Sequence, residues 1–201
     1  MIKYVIISFE AGGRMSVFRK IREIHHRRNA KNLDQESNTV ALVTVREESH
    51  RGNFVYPGID TLAHIEVEGV RVGEVDYGIN PLGDRLYINM IEIRSGFRFR
   101  GYALATLWRL WKMHQVPIIP LHQRGDSILF WAKARKRFAA AGGQLEQDLR
   151  VSEMDQAKQR WAHLVPELPY ERKIREMQAS PEWPQIKAEL IKARHHSGSN
   201  K

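Results

Sequence analysis

No cysteine occurs among the 201 residues of this chain. Disulfides, thiolate nucleophiles and cysteine-ligated zinc are thereby excluded, which suits a cytoplasmic protein. Long hydrophobic runs are missing as well: no stretch approaches the roughly 20 apolar residues of a membrane helix. The opening Met-Ile-Lys-Tyr-Val-Ile-Ile-Ser-Phe-Glu turns polar too soon for a secretory signal. There is no internal repeat and no low-complexity tract before the last residues. Acidic side chains are in deficit, 23 Asp and Glu against 32 Lys and Arg, giving a net charge of +9 and a pI near 9.9. That balance favours polyanionic partners such as nucleic acid or phosphorylated ligands. Hydrophobic content of 42% and charged content of 27% are ordinary for a globular protein. The length suffices for one domain with a sizeable core, or one domain with an appendage.

Periodicity orders the chain. Lys3 to Phe9 is expected to form a strand. Ser16 to Asn29 is expected to form a helix capped by Ser16, with Val17, Ile21 and Ile24 as a narrow apolar stripe. Lys31 to Asn38 reads as a polar connection, Thr39 to Val45 as a strand, and Glu47 to Asp60 as a loop. Leu62–Val67 and Val70–Ile79 predict a hairpin turning at Glu68-Gly69. The apolar strand Leu86–Ile93 then runs through an Arg/Gly-rich turn into an amphipathic helix. In that helix Leu104, Leu107, Trp108 and Trp111 recur at core spacing, and Thr106, Arg109 and Lys112 mark a wet side. An apolar stretch, Val116 to Leu121, precedes a helix from Asp126 to Ala141 that ends at Gly142-Gly143.

From Arg150 the composition shifts to charged helix formers. Ser152-x-x-Asp155 is expected to cap a helix reaching Val165, with Pro166 and Pro169 interrupting. A last helix, Pro184 to Arg194, precedes the polar tail His195 to Lys201. Trp161 and Trp183 are the expected anchors of this extension. We therefore divide the chain into a domain over 1–149 and a helical extension with tail over 150–201.

The turn carries the chemistry. Arg98-Phe99-Arg100-Gly101-Tyr102-Ala103 opens directly into a helix whose first N–H groups lack internal partners and bear partial positive charge. Gly101 and Ala103 let an anion approach the backbone. With its context, this turn resembles the acetyl-CoA-binding signature of the GNAT N-acetyltransferase family. Ile93 takes the family's Val position, Ser95 its Pro position, and Arg98, Gly101 and Ala103 the signature Arg/Gln-x-x-Gly-x-Gly/Ala. Val72-Gly73 looks like the family's third-strand step, and the likeness covers roughly residues 62–145.

The resemblance implies an α+β GNAT fold: a mixed, mostly antiparallel sheet flanked by helices. It also implies acetyl-CoA as cosubstrate and a primary amine as acceptor. The pyrophosphate would sit on Arg98, Phe99, Arg100, Gly101, Tyr102 and Ala103, and the pantetheine along Ile91 to Ile93. Glu92 is the first candidate for the base, with Glu74 and Asp76 as alternatives; the bland reading of all three is outward-facing strand carboxylates. The family's thiolate-protonating tyrosine is replaced here by Phe138, which leaves Tyr102, Ser127 or a water for that step.

Two basic clusters remain. Arg19, Lys20, Arg22, His25, His26, Arg27, Arg28 and Lys31 lie on or after the first helix, and Lys133, Arg135, Lys136 and Arg137 on a later one. They read either as solvated faces or as a track for RNA or another polyanion. Adjacent histidines diverge on a helix, so His25-His26 make no metal pair and no metal is expected. The alternative to an enzyme is a catalytically weak acyl-CoA-binding scaffold whose partner is nucleic acid or protein.

Overall fold

The computed structural model describes residues 12–123 and 125–197. The strand expected at Lys3 to Phe9 lies outside them, as do the side chains of Ser16, Val17 and Ile21. Helix α1 (Gly12–Ser37) runs well past the end expected at Asn29 and absorbs the supposed polar connection. Tertiary contacts explain the extension. Leu33 is buried in the core, and Asp34 accepts a hydrogen bond from Trp108 Nε1 at 2.9 Å and pairs with Lys112 Nζ at 2.9 Å. Ile24, read as part of an apolar stripe, is instead 65% exposed.

Strands β1 (Ala41–Glu48), β2 (Ile59–Val67), β3 (Val70–Ile79), β4 (Leu86–Ile93) and β5 (Ile118–Pro120) form one sheet in chain order. The first three pairings are antiparallel. β4 and β5 are parallel, joined by a crossover through helix α2 (Tyr102–His114). The hairpin turns where expected, with Glu68 and Gly69 both at positive φ (51° and 77°), the pairing a tight turn requires. At Gly73 a Cβ would stand 2.2 Å from the Glu92 carbonyl oxygen, so only glycine lets β3 and β4 approach so closely. The supposed loop over 47–60 is shortened at both ends, because β1 continues to Glu48 and β2 begins at Ile59.

Side-chain alternation gives the sheet two unlike faces. One face buries Ala63, Ile65, Val75, Tyr77 and Ile88 under α1, α2 and helix α3 (Ile128–Ala141), meeting Leu33, Leu107, Trp108, Trp131 and Phe138. Trp108 stacks on the half-buried Trp111 at 4.6 Å and meets Phe138 edge-on at 5.1 Å. Because α1 and α3 both reach α2, Thr106 is fully buried, not solvated as its helical position predicts. Among the described residues, the other face is covered at one end, by a second cluster of Phe54, Val55, Tyr87, Ile119, Leu121 and Trp161. Trp161 follows helix α4 (Val151–Gln159) and donates its indole N–H to the Tyr56 carbonyl at 3.0 Å. α4 starts at Val151, with the Arg150 N–H donating to Glu153 Oε2 at 2.9 Å, so the Ser152-x-x-Asp155 string lies inside the helix instead of capping it.

The chain separates into two compact units, one ending at Leu164 and the other beginning at Val165, later than the division we drew after residue 149. The second unit holds α5 (Pro169–Ala179) and α6 (Trp183–Ser197). Pro169 starts a helix here instead of interrupting one, since a first-turn proline forfeits only an N–H that has no helical partner. Glu167 receives both Nε (2.8 Å) and Nη2 (3.1 Å) of Arg175. α6 continues through the first residues of the supposed tail to Ser197. No described helix is long and apolar enough to cross a membrane.

Candidate functional site

The site begins where β4 ends. The Arg94 N–H donates to the Val72 carbonyl at 2.9 Å, and a single 3₁₀ turn, Ser95–Phe97, reverses the chain. Phe99 (φ 63°) and Gly101 (φ 84°) are both left-handed, and Gly101 is the cap from which α2 starts. A left-handed phenylalanine is uncommon, and this one is fully exposed. Among the described residues, an added Cβ at Gly101 meets nothing within 4 Å, so none of them closes the turn above the first N–H groups of α2. Arg98 folds back to donate from Nε to the Ile93 carbonyl at 2.9 Å, with Nη2 3.8 Å from Glu92 Oε1. Arg100 Nη2 donates to the Gly96 carbonyl at 3.4 Å, and Arg100 Cζ lies 5.7 Å from the Phe97 ring centre. This turn has room for an anion, the partial charge to attract it and two exposed guanidinium groups beside it.

The second feature is a parting of strands. β5 pairs with β4 only from Leu86 to Ile88, and the Leu121 N–H donates to the Ile88 carbonyl at 2.8 Å. From Asn89 to Ile93 no described strand pairs with that edge of β4. In open sheets, ligands favour the crevice beyond the carboxyl ends of parallel strands. The half-buried Ile91 and Ile93 share a face with the helix-covered core, while Met90 and Glu92 are exposed on the other. At the fork, β4 bulges: Met90 opposes Asp76 and Ile88 opposes Tyr77, which leaves Asn89 without a partner on β3.

Carboxylates gather on the open face. Glu74 and Glu92 are direct cross-strand neighbours, with Asp76 beside them opposite Met90. Glu74 is held by the Arg71 guanidinium, and the Glu92 side chain is 59% exposed, which denies it the burial expected of a tuned base. The buried carboxyl is one the sequence did not single out. Asp60, at the start of β2, is only 7% exposed. Asn89 Nδ2 donates both its protons, to Asp60 Oδ1 at 2.8 Å and to Asp76 Oδ1 at 2.7 Å. Burial pushes the Asp60 carboxyl up; the Asn89 hydrogen bond opposes this and the neighbouring Asp76 charge adds to it. No periodicity could have marked Asp60, which the sequence places at the end of a loop; the pairing of Asp60 with Gly78 buries it.

The other candidates are dispersed. Phe138 is fully buried in the helix-side core, Tyr102 is half-buried against that same core, and Ser127 immediately precedes α3. The basic groups come together instead. α1 and α3 are joined by Asn29 Nδ2 donating to the Ala140 carbonyl at 3.1 Å and by an Arg137–Glu36 pair at 2.7 Å. His25, Arg27, Arg28, Lys31, Lys133 and Lys136 are exposed on these helices, and His26 and Arg135 are half-buried. The side chains of Arg19, Lys20 and Arg22 lie outside the described ones. A groove of about 410 Å³ between the end of α1 and the β2–β3 turn is lined by Asn38, Val40, Glu66, Glu68 and Arg109, and shares no residue with the β4–α2 turn. Among the described residues, no group of three or more His, Asp or Glu is placed to hold a metal. Compared with known proteins, the chain matches no family model and no curated protein.

Proposed function

We propose that the chain is an acetyl-CoA-dependent N-acetyltransferase with a GNAT-type fold, acting on a primary amine. The observation that carries this reading is the left-handed, open Gly101 at the start of α2, set at the end of a strand that β5 has left. A pyrophosphate held by the first N–H groups of α2 would meet partial positive charge, with Arg98 and Arg100 alongside. The amides of a pantetheine arm need backbone partners, and the edge from Asn89 to Ile93, which no described strand pairs, would offer them apart from the Ile93 carbonyl already taken by Arg98.

In the reaction the neutral amine nitrogen attacks the thioester carbonyl. A C–N bond forms, the C–S bond breaks, sulfur leaves with the bonding pair, and the proton lost by nitrogen ends on sulfur. Side-by-side positioning of the two substrates supplies roughly 7–11 kcal/mol of the barrier reduction. With Phe138 sealed in the core, the last proton comes from Tyr102, Ser127 or water.

The test is calorimetric. Gly101→Glu puts charge and bulk into the turn, while Gly101→Ala imposes the same left-handed strain, about 1–2 kcal/mol, without the charge. Acetyl-CoA binding is expected to survive in the alanine variant and to vanish in the glutamate variant. Unchanged affinity in a folded Gly101→Glu protein rejects the reading. The joined basic faces of α1 and α3 favour a second one, an acyl-CoA-binding scaffold that holds RNA with little turnover. Salt-dependent filter binding, lost on neutralising Arg27, Arg28 and Lys31, together with no thioester consumption across a panel of amines, would favour it.

A further inference from the structure

We infer that Asp60 is the group that takes the proton from the acceptor amine, with Asn89 and Asp76 positioning it. This rests on the acetyltransferase reading above and supplies the base that the reading leaves open. Three observations meet at one place. The first is the fork: β4 keeps β5 as far as Ile88 and loses it from Asn89, the residue that bulges out of register with β3. From Ile93 back to Asn89 the strand covers about 13 Å at about 3.3 Å per residue. An acyl arm entering from the 98–101 turn and following the free edge therefore brings its reactive end to the fork.

The second is that Asn89 is bound on the open face of the sheet. Both protons of its amide are committed to carboxylates, one on β2 and one on β3. The side chain thus holds Asp60 and Asp76 at a fixed spacing beneath the fork. The third is an unmet valence. Asp60 is more than nine-tenths buried; Oδ1 takes the Asn89 bond, the Asn53 side chain also bears on the carboxyl and opposes its upward shift, and Oδ2 meets no donor in hydrogen-bond geometry among the described residues. A buried acceptor oxygen left without a donor is unfavourable, and a proton or a proton-bearing ligand relieves it.

Asp60 is also better suited to the task than the strand-end carboxylates. Glu92 is largely solvated and lies near the Arg98 guanidinium, and Glu74 is paired with Arg71. Neither has the burial that Asp60 has. The groups facing Asp60 are Glu48 opposite it on β1, with Arg46 3.6 Å from the Glu48 carboxylate, Asp76 on β3, Asn53 in the preceding loop, and Asn89 on β4. Burial and those negative neighbours raise its carboxyl toward the pH at which a base is effective. In the step itself, the proton on the attacking nitrogen passes to the Asp60 carboxyl through a water that substrate binding must admit, since Oδ2 is closed to solvent in the free protein, as the C–N bond forms. The thiolate released by C–S cleavage then recovers a proton, and Asp60 returns to its charged form.

Full-length wild type, Asp60→Asn, Asp76→Asn and Asn89→Ala are compared for acetyl-CoA affinity by calorimetry and for thioester consumption with a panel of primary amines between pH 5 and 9. Circular dichroism checks folding. Asp60→Asn keeps an oxygen for Asn89 and is expected to fold and to bind acetyl-CoA normally. Its kcat should fall by about 10²–10⁴-fold and lose the acid limb of the pH profile. Asn89→Ala and Asp76→Asn should shift that limb while leaving the affinity alone, which a purely structural loss would not do. If wild type does not bind acetyl-CoA, the acetyltransferase reading fails and takes this inference with it. If wild type binds it and Asp60→Asn turns over at a normal rate with an unshifted profile, Asp60 is rejected and the reading stands. Binding without turnover in wild type also overturns the assignment, since no proton is then transferred.

Discussion

Asp34 and Asp60 lie on opposite sides of one sheet and are treated in opposite ways. Asp34 belongs to the helix layer. Burial would push its carboxyl up, but the hydrogen bond from Trp108 and the Lys112 ammonium hold it below the ordinary carboxylate value. Asp60 lies on the opposite face, where burial, reinforced by Asp76, outweighs the hydrogen bonds from Asn89 and Asn53, and its carboxyl is pushed up. The first arrangement is what a carboxylate does when it serves the fold: it caps an indole, pairs with a lysine and fastens α1 to α2. The second spends stability, since a raised carboxyl disfavours the charged folded state at neutral pH. Natural cores seldom keep such a group without a use for it. The basic surface follows the same division, gathered on α1 and α3 behind the sheet, while the acidic groups line its open face. The net charge of the whole chain therefore does not describe the face beside the fork, where Glu74, Asp76 and Glu92 lie.

The comparison can be broken most strongly at its helix side. Trp108 is buried, touches Trp111 and Phe138, and donates to Asp34. Trp108→Ala should cost about 3–5 kcal/mol in a urea melt, the usual loss for a buried aromatic. A loss under about 1 kcal/mol would mean that the helix layer is not the main core. At the floor of the open face, a Cβ on Gly78 would stand 2.5 Å from Asp60 Oδ1 and 2.7 Å from Val55 Cγ2. Gly78→Ala should destabilise by about 1–3 kcal/mol through overpacking, and should alter the Asp60 titration seen by carboxyl NMR. An unmoved Asp60 signal would contradict the packing described for that floor.

The smallest effect is also the most selective. The folded chain keeps the Asp60 proton to higher pH than the unfolded chain, whose ordinary value is 3.8. Wild type should therefore lose stability relative to Asp60→Asn as pH rises from that value through the raised folded one. Below the window the difference should be flat, and above it constant. Thermal melts across that range check the sign. A wild type that gains on the variant as pH rises would show that Asp60 is stabilised as a carboxylate, as Asp34 is.

Much of this was legible in the sequence. The hairpin at Glu68-Gly69, the strand Leu86–Ile93, the turn with its glycine and the core stripe of α2 all follow from alternation, turn chemistry and helical period, which are local properties. The errors fell where distant contacts override local signals. Residues 31–37 look like a polar link, yet Leu33 and Asp34 find partners on α2 and the helix continues. Thr106 sits on the polar side of its own helix and is buried because α2 has neighbours on more than one side. Glu92, a candidate base from its place beside Ile93, has a side chain that is 59% exposed.

By itself the sequence determined the order of the elements, the anion-ready turn over 98–103 and the absence of thiol chemistry, since each depends on residues adjacent along the chain. The tertiary structure alone decided that the sheet has a closed and an open face, that β5 leaves β4 at Ile88, and that Asp60, Asp76 and Asn89 meet. The physical reason is that strand pairing brings together residues 13 and 29 positions apart, and burial then sets the charge they can carry. Neither pairing nor burial is written in any one stretch of the chain.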